Sequence, residues 1–555
     1  MLIGYVSDER YLALADVLVE FRFGGKTRAT VRSTPRGAVE ADLDPGEYEV
    51  TLVKQGYGSK HSRMTVDADR PHHFRLLTDG LLGYVWPRSV KSGGRSEFRV
   101  HSTEPYRLSL WRYGWKREFV KLLGWFDEHG PRAVMQILPD GDFTQTGVGW
   151  NRVGYGNNAH HTQFVVGPER SGLYYLHAKG EQTGTFFSFP WVVAPAKPQA
   201  QIAVLASTNT WLAYNNFGGR SNYINADRLP DTPVVNARQD LIRYTGAGAF
   251  NTWGFQDDEY LPLSFERPEP GNVVRENEEV TDPIAGRLPC GMAPAEWRLL
   301  GWLERENFQY DYYSELQLHN GELDLDQYTI LMISVHPEYW SREMYLRVKE
   351  WVWKRGGKLI YLGGNGLNCE VEFLGEDALR FKTHLAPATG SELGMPDPKN
   401  PDFYFDSRMA RTLESEANLL GVVTTEAGIM TAAPYRVLNA SHWAFAGTGL
   451  SNGDLFGEKS LHERVPGGAS GHETDKRSPH SPPGTELLAK GINRDEGGAE
   501  IVCYETPSGG AVFSVGSITW VPCLLVDDAV SRITANAVAR YLAKEPFIRQ
   551  AAERS

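Results

Sequence analysis

The chemistry of this chain starts at Ser334-Val335-His336-Pro337-Glu338-Tyr339-Trp340-Ser341-Arg342, where an imidazole and a carboxylate stand two residues apart. The apolar run just before them, 328–335, reads as a fully buried strand, and a helical pattern starts at Ser341. In an open α/β sheet, ligands bind in the crevice beyond the carboxyl ends of the strands. A histidine and a glutamate placed there can serve as a metal ligand and its neighbour, or as an acid and a base. The same pair also fits a plain helix start, because acidic groups favour helix N-termini through the dipole. Two more strand ends carry polar groups. Thr210-Trp211-Leu212-Ala213-Tyr214-Asn215-Asn216 follows the strand expected at Ile202–Ala206, and Gly363-Gly364-Asn365-Gly366 follows the one at 358–362. A parallel topology sends such loops to one rim, so Tyr214, His336, Glu338 and Asn365 are expected close together.

The elements that must hold these residues fall into three regions, as expected of 555 residues. Residues 1–78 read as a small β-sandwich of immunoglobulin or transthyretin type. In Gly46-Glu47-Tyr48-Glu49-Val50-Thr51-Leu52-Val53 polar and apolar side chains alternate, after the turn signal Asp44-Pro45-Gly46. Residues 79–197 continue the β pattern as a second sandwich, ending in the linker Val193-Ala194-Pro195-Ala196-Lys197-Pro198. From 198 to 555 short apolar strands alternate with amphipathic helices, the mark of a parallel α/β sheet. Strands are expected at Ile202–Ala206, 329–335, 358–362 and 511–515, and helices at 294–306, 343–355 and Asp528–Leu542. In the second helix Met344, Val348, Trp351 and Val352 form one apolar stripe, and Gly356-Gly357 ends it. Residues 458–483 read as a long loop, which at that length inside a domain is usually functional or disordered.

Bulk properties exclude several classes. A formal charge of −12 argues against general nucleic-acid binding. No run of about 18 apolar residues crosses a membrane, and the N-terminus lacks the basic and apolar regions of a signal peptide. Cys290, Cys369, Cys503 and Cys523 are scattered with no C-x-x-C pair, so neither a thiolate zinc site nor a disulfide framework is expected, and a cytoplasmic location fits best. The pairs His72-His73 and His160-His161 are taken as structural, because adjacent strand residues point to opposite faces.

Taken together, Thr210-Trp211-x-Ala213-Tyr214-Asn215-Asn216-x-Gly218-Gly219, Ser264-Phe265-Glu266-Arg267-Pro268, His336-x-Glu338-Tyr339-Trp340-Ser341-Arg342, Gly364-Asn365, the 446–454 glycine-rich stretch and Gly471-x-Glu473-x-Asp475 resemble the catalytic domain of the N,N-dimethylformamidase large (beta) subunit. The resemblance covers about residues 80 to 545. It implies a glutamine-amidotransferase-like (flavodoxin-like) α/β domain holding a mononuclear ferric iron on two tyrosines and one glutamate. It also implies hydrolysis of an amide to formate and an amine. Carried over residue by residue, Glu338 matches the carboxylate ligand and Tyr214 the first tyrosine. His336, Asn365 and Lys382 match positions around the ligands or the substrate, and Glu473 matches a general base. Many relatives read Arg-Pro-Tyr where this chain has Arg267-Pro268-Glu269. Either Glu269 ligates instead, or nearby Tyr260 does, or the metal site is altered or lost. The implied partners are a small amide substrate and a small second subunit, within a homo-oligomer.

The reading is therefore a metal-dependent amidohydrolase that splits a small amide with a metal-activated water. Phenolate and carboxylate oxygens suit a hard Fe3+ ion, while two carboxylates with one phenolate would favour another, divalent metal. The alternative is a non-catalytic scaffold whose β-sandwiches bind a carbohydrate or a partner. A cysteine amidotransferase centred on Cys369 is the weakest option, since that residue lacks the glycine-flanked strand–helix elbow such a nucleophile needs.

Overall fold

The computed structural model describes residues 1–67, 69–126, 135–136, 140, 143–148, 163–222, 232–235, 262–273, 284, 292–382, 395–397, 400–405, 409–425 and 427–543. The chain is multidomain and mostly β, with several sandwich-like sheets. At the N-terminus a five-stranded sheet built on Leu18–Phe23, Gly46–Val53 and Ser59–Val66 faces a three-stranded one built on Leu2–Ser7. Val6, Val19, Phe21, Val50, Leu52 and Phe74 fill the space between them. In Gly46–Val53, Tyr48, Val50 and Leu52 are buried while Glu47 and Glu49 are exposed, as the alternation predicts. Each such buried aliphatic side chain contributes roughly 1.5–3 kcal/mol. His72 and His73 turn to separate partners, Asp140 and Tyr11. His160, His161 and Cys290 lie outside the described residues. The other three cysteines are buried and form no disulfide with one another.

A second pair of sheets follows, one centred on Arg95–Ser102 and the other on Tyr106–Tyr113 and Gly172–Gly180. Phe98, Val100, Leu108, Leu110, Leu176 and Trp191 form its core.

The C-terminal region is organised by a nine-stranded sheet. Five strands are parallel and lie in the spatial order Asp311–Ser314, Ile202–Ala206, Ile330–Val335, Lys358–Gly363, Ala511–Ser514. Numbered along the chain, that order is 2-1-3-4-5. The expected purely parallel sheet needs correcting, because Glu500–Glu505, Glu486–Gly491, Tyr435–Val437 and Leu455–Phe456 extend it antiparallel. Only the short turn 506–510 separates Glu500–Glu505 from Ala511–Ser514, enough for a hairpin and too little for a crossover.

Helices cover both faces of the parallel strands. Ala293–Arg305 and Asp528–Leu542 pack with Ile202, Val204, Ile330, Met332, Ile360 and Leu362. Arg342–Arg355 packs on the other face, where Met344, Val348, Trp351 and Val352 meet Ala203, Leu205, Leu331, Ile333 and Leu359. This is why those strands read as unbroken apolar runs. The Ser341 side chain caps that helix by accepting from Met344 N, and Gly356 at φ +78° closes it. The segment expected as one long loop, 458–483, contains two short strands, Ser470–Gly471 and Thr474–Lys476, the second paired with Val423–Thr425. No helix among the described residues is long and apolar enough to cross a membrane.

Candidate active site

Strand order reverses between Ile202–Ala206 and Ile330–Val335, and the crevice at their carboxyl ends is where the polar loops gather. At the end of the second strand Val335 adopts φ +63°, a left-handed conformation that a β-branched residue takes only under constraint. Thr210 locks the turn from both sides: its hydroxyl donates to His336 O at 2.7 Å and accepts from Glu338 N at 3.3 Å. Thr210 sits in the short buried helix Thr208–Ala213, which ends at Tyr214. Two buried carboxyls hold that helix. Glu315 accepts from Asn209 N at 2.6 Å and Thr208 Oγ1 at 3.2 Å. Glu296 accepts from Ser207 N at 3.1 Å, Trp211 Nε1 at 3.0 Å and Tyr312 Oη at 2.5 Å. Burial raises both, Glu296 to about 7.

His336 is the hub. Its Nε2 lies 2.8 Å from Glu338 Oε2 and 3.3 Å from Tyr214 Oη. Its Nδ1 lies 3.2 Å from Gly364 O and 3.4 Å from Glu473 Oε2. Burial alone pulls the imidazole pKa down, but the charges of Glu473 and Glu338 and the hydrogen bond to Glu338 reverse that and lift it to about 9. At neutral pH the ring is therefore a cation between two acids. Glu473 is part-buried, its side chain 18% exposed, and desolvation raises its carboxyl; the nearby Glu338 charge acts the same way while His336 opposes it. Asn365, at φ +52°, accepts from Asn368 Nδ2 through its Oδ1, and its side chain acts to lower the Glu473 carboxyl. Tyr214 is the open member of the group, 37% exposed. Behind Glu473, His472 at φ +65° contacts His462 at 3.4 Å, and burial pushes the two imidazoles down to about 3 and about 4.

The structure thus brings together Tyr214, His336, Glu338, Asn365 and Glu473. Glu269 and Lys382 are engaged by other partners. Glu269 is buried, ion-paired with Arg88 of the second sandwich, and accepts from Asn272 Nδ2 at 2.7 Å. Lys382 faces Glu370 at 3.6 Å, beside Arg342 at 3.2 Å from the same carboxylate. Tyr260 lies outside the described residues. Cys369 is buried with its sulfur 3.9 Å from Glu338 Oε1, with no elbow around it. Glu296, Glu315 and Arg88 escape sequence reasoning, because each acts through a partner far along the chain.

A family model described as "N,N-dimethylformamidase beta subunit-like, C-terminal" matches residues 119–532. The chain belongs to that family. Two curated relatives are named N,N-dimethylformamidase beta subunit. The Paracoccus aminophilus protein is 26% identical over 412 residues, covering 64% of this chain and 51% of the relative. The Alcaligenes sp. protein is 24% identical over 437 residues, covering 69% and 54%. This chain therefore spans about half the length of the dimethylformamidase subunits it matches. Among solved structures, a β-galactosidase from Bacillus circulans sp. alkalophilus is 15% identical over 44% of this chain and 26% of that one, at a TM-score of 0.27.

Tyr214 Oη and Glu338 Oε2 both contact one nitrogen, so the phenol and the carboxylate lie within about 6 Å of each other. Both are hard oxygen donors and fit a hard cation. Glu269 does not fit as a further donor while Arg88 and Asn272 engage both of its oxygens.

Proposed function

We propose that the protein is a metal-dependent amidohydrolase of the dimethylformamidase kind, cleaving the C–N bond of a small amide in the cytoplasm. One observation carries the reading: Tyr214, His336, Glu338, Asn365 and Glu473, from four separate segments, meet at the rim where strand order turns. The 2-1-3-4-5 order of the parallel strands supports a glutamine-amidotransferase-like (flavodoxin-like) domain over 198–555, with 1–78 and 79–197 as the preceding sandwiches. The relatives' name, beta subunit, supports a partner subunit; that it is small, and that the assembly is a homo-oligomer, belong to the proposal alone.

In this reading Glu473, whose proton affinity is raised by burial, accepts a proton from the attacking water and passes it to the departing amine. Asn365 keeps that carboxylate aimed by donating to it. His336 or Asn365 donates to the oxyanion of the tetrahedral intermediate, a role worth about 3 kcal/mol per donor. Tyr214, the exposed member, faces the arriving amide. Tyr214 and Glu338 would hold the metal, Fe3+ by family resemblance. Bound there, it would polarise the amide carbonyl and lower the pKa of water from about 15.7 to about 7.

The test is turnover of small N-alkylformamides and related amides by the purified chain, read as release of amine and carboxylate. Amine release from at least one supports the reading, and inertness toward the whole panel overturns it. A second reading, a non-catalytic scaffold, is favoured by the burial of Glu269 in an ion pair with Arg88. In that case the panel stays inert and the protein binds no stoichiometric metal.

A further inference from the structure

We infer that Asp475 is a positioning residue for this site: its carboxylate fastens the 363–368 loop, which carries Asn365, to the segment that carries Glu473. The inference rests on the amide-hydrolase reading above. Asp475 is 1% exposed and accepts three hydrogen bonds from three elements. Oδ1 takes the Asn365 backbone N–H at 2.8 Å and the Thr424 hydroxyl at 2.6 Å. Oδ2 takes the Tyr361 hydroxyl at 2.7 Å. Tyr361 Oη in turn accepts from Gly366 N at 2.7 Å. Every group facing Asp475 is a donor, so a carboxylate, which only accepts, suits the position.

The two segments also touch along their backbones. A Cβ at Gly364 would stand 2.5 Å from Glu473 O, and one at Gly366 would stand 2.7 Å from the Tyr361 ring. The loop can lie this close only because both positions are glycine. What the clamp holds is the chemistry. Asn365 is kept in a left-handed conformation from which its side chain reaches Glu473, and Gly364 O is kept 3.2 Å from His336 Nδ1. Releasing Asp475 therefore loosens the group that aims the base and the carbonyl that orients the imidazole. Asp475 bonds to the backbone of Asn365 and not to the Glu473 carboxyl or the His336 ring, so its effect is on placement rather than on the reacting atoms.

The experiment compares wild type, Asp475→Ala and Asp475→Asn as full-length chains, by native-state hydrogen exchange and by steady-state kinetics on an amide the wild type hydrolyses. In Asp475→Ala, exchange at the Asn365 and Gly366 amides should quicken by about 10- to 100-fold while strand Ala511–Ser514 keeps its protection. In the same variant kcat should fall by about 100-fold with KM within about threefold. Asp475→Asn keeps an acceptor for Asn365 N–H and should recover most of both losses. If Asp475→Ala does not fold, Tyr361→Phe takes its place, with faster exchange at Gly366 as the expected result. Unchanged loop protection overturns the inference, as does a change confined to KM. If the wild type hydrolyses no amide, the hydrolase reading falls, and the exchange measurement still decides whether Asp475 holds the loop.

Discussion

Glu269 occupies a position where family resemblance leaves room for a metal ligand, yet its carboxylate is paired with Arg88 of the second sandwich. A double-mutant cycle on this pair separates the two roles. Arg88 also donates to Thr208 O at 3.2 Å, the first residue of the helix leading to Tyr214, and its guanidinium lies 4.6 Å from the Phe265 ring centroid. Both partners are under a tenth exposed, so removing one leaves an uncompensated buried charge. Arg88→Met should cost about 3–5 kcal/mol for the stranded carboxylate and about 1 kcal/mol more for the lost bond to Thr208. Glu269→Gln should cost about 3 kcal/mol, because the guanidinium then lacks its counter-charge. Removing both charges together should be milder than the sum of the single changes, with a coupling of about 2–3 kcal/mol. Urea unfolding of the four proteins measures this, with metal content determined in parallel. A coupling below about 0.5 kcal/mol, or a Glu269→Gln protein that loses metal at unchanged stability, would refute the ion-pair assignment and make Glu269 a ligand.

Glu473→Gln should lower kcat by about 10²- to 10⁴-fold with the fold intact, since the amide cannot take the proton; kinetics within a few-fold of wild type would remove Glu473 as the base. Gly364→Ala should destabilise the protein by about 1–3 kcal/mol and impair turnover, because the new Cβ meets backbone that cannot move aside; thermal unfolding and activity assays check this. Glu296 gives a pH signature. Its pKa is raised from 4.5 to about 7, so the fold favours the neutral acid; that stability is full below pH 4.5 and is lost as pH rises through 7. Glu296→Gln should abolish this decline, worth about 3 kcal/mol at most. Urea midpoints of wild type and variant that run parallel from pH 4.5 to 8 would show that Glu296 does not titrate in this way.

What could be read from the sequence was whatever repeats locally. The apolar runs around 202–206, 330–335 and 358–363 announce buried strands, and the stripe Met344, Val348, Trp351, Val352 announces its helix. The gathering of Tyr214, His336, Glu338 and Asn365 follows once those strands run parallel. Strand Asp311–Ser314 stays hidden because four residues, two of them tyrosines, show no period. The antiparallel extension is missed for a similar reason: Tyr435–Val437 and Leu455–Phe456 are too short to alternate visibly. Glu473 looks like part of a solvated loop because the strands beside it span only two and three residues. The buried acids Glu296 and Glu315 resemble ordinary helix-start carboxylates until tertiary contacts bring the 207–211 segment to them.

The most direct measurement is elemental analysis of protein purified without chelators, wild type beside Glu338→Ala, with amide turnover recorded on the same samples. Wild type is expected to carry about one iron or other transition ion per chain, absorb visible light through tyrosinate-to-iron charge transfer if the ion is ferric, and hydrolyse a small amide, while Glu338→Ala loses both metal and activity. A wild-type protein with no stoichiometric metal, or a Glu338→Ala protein that keeps its metal or its turnover, would contradict the account.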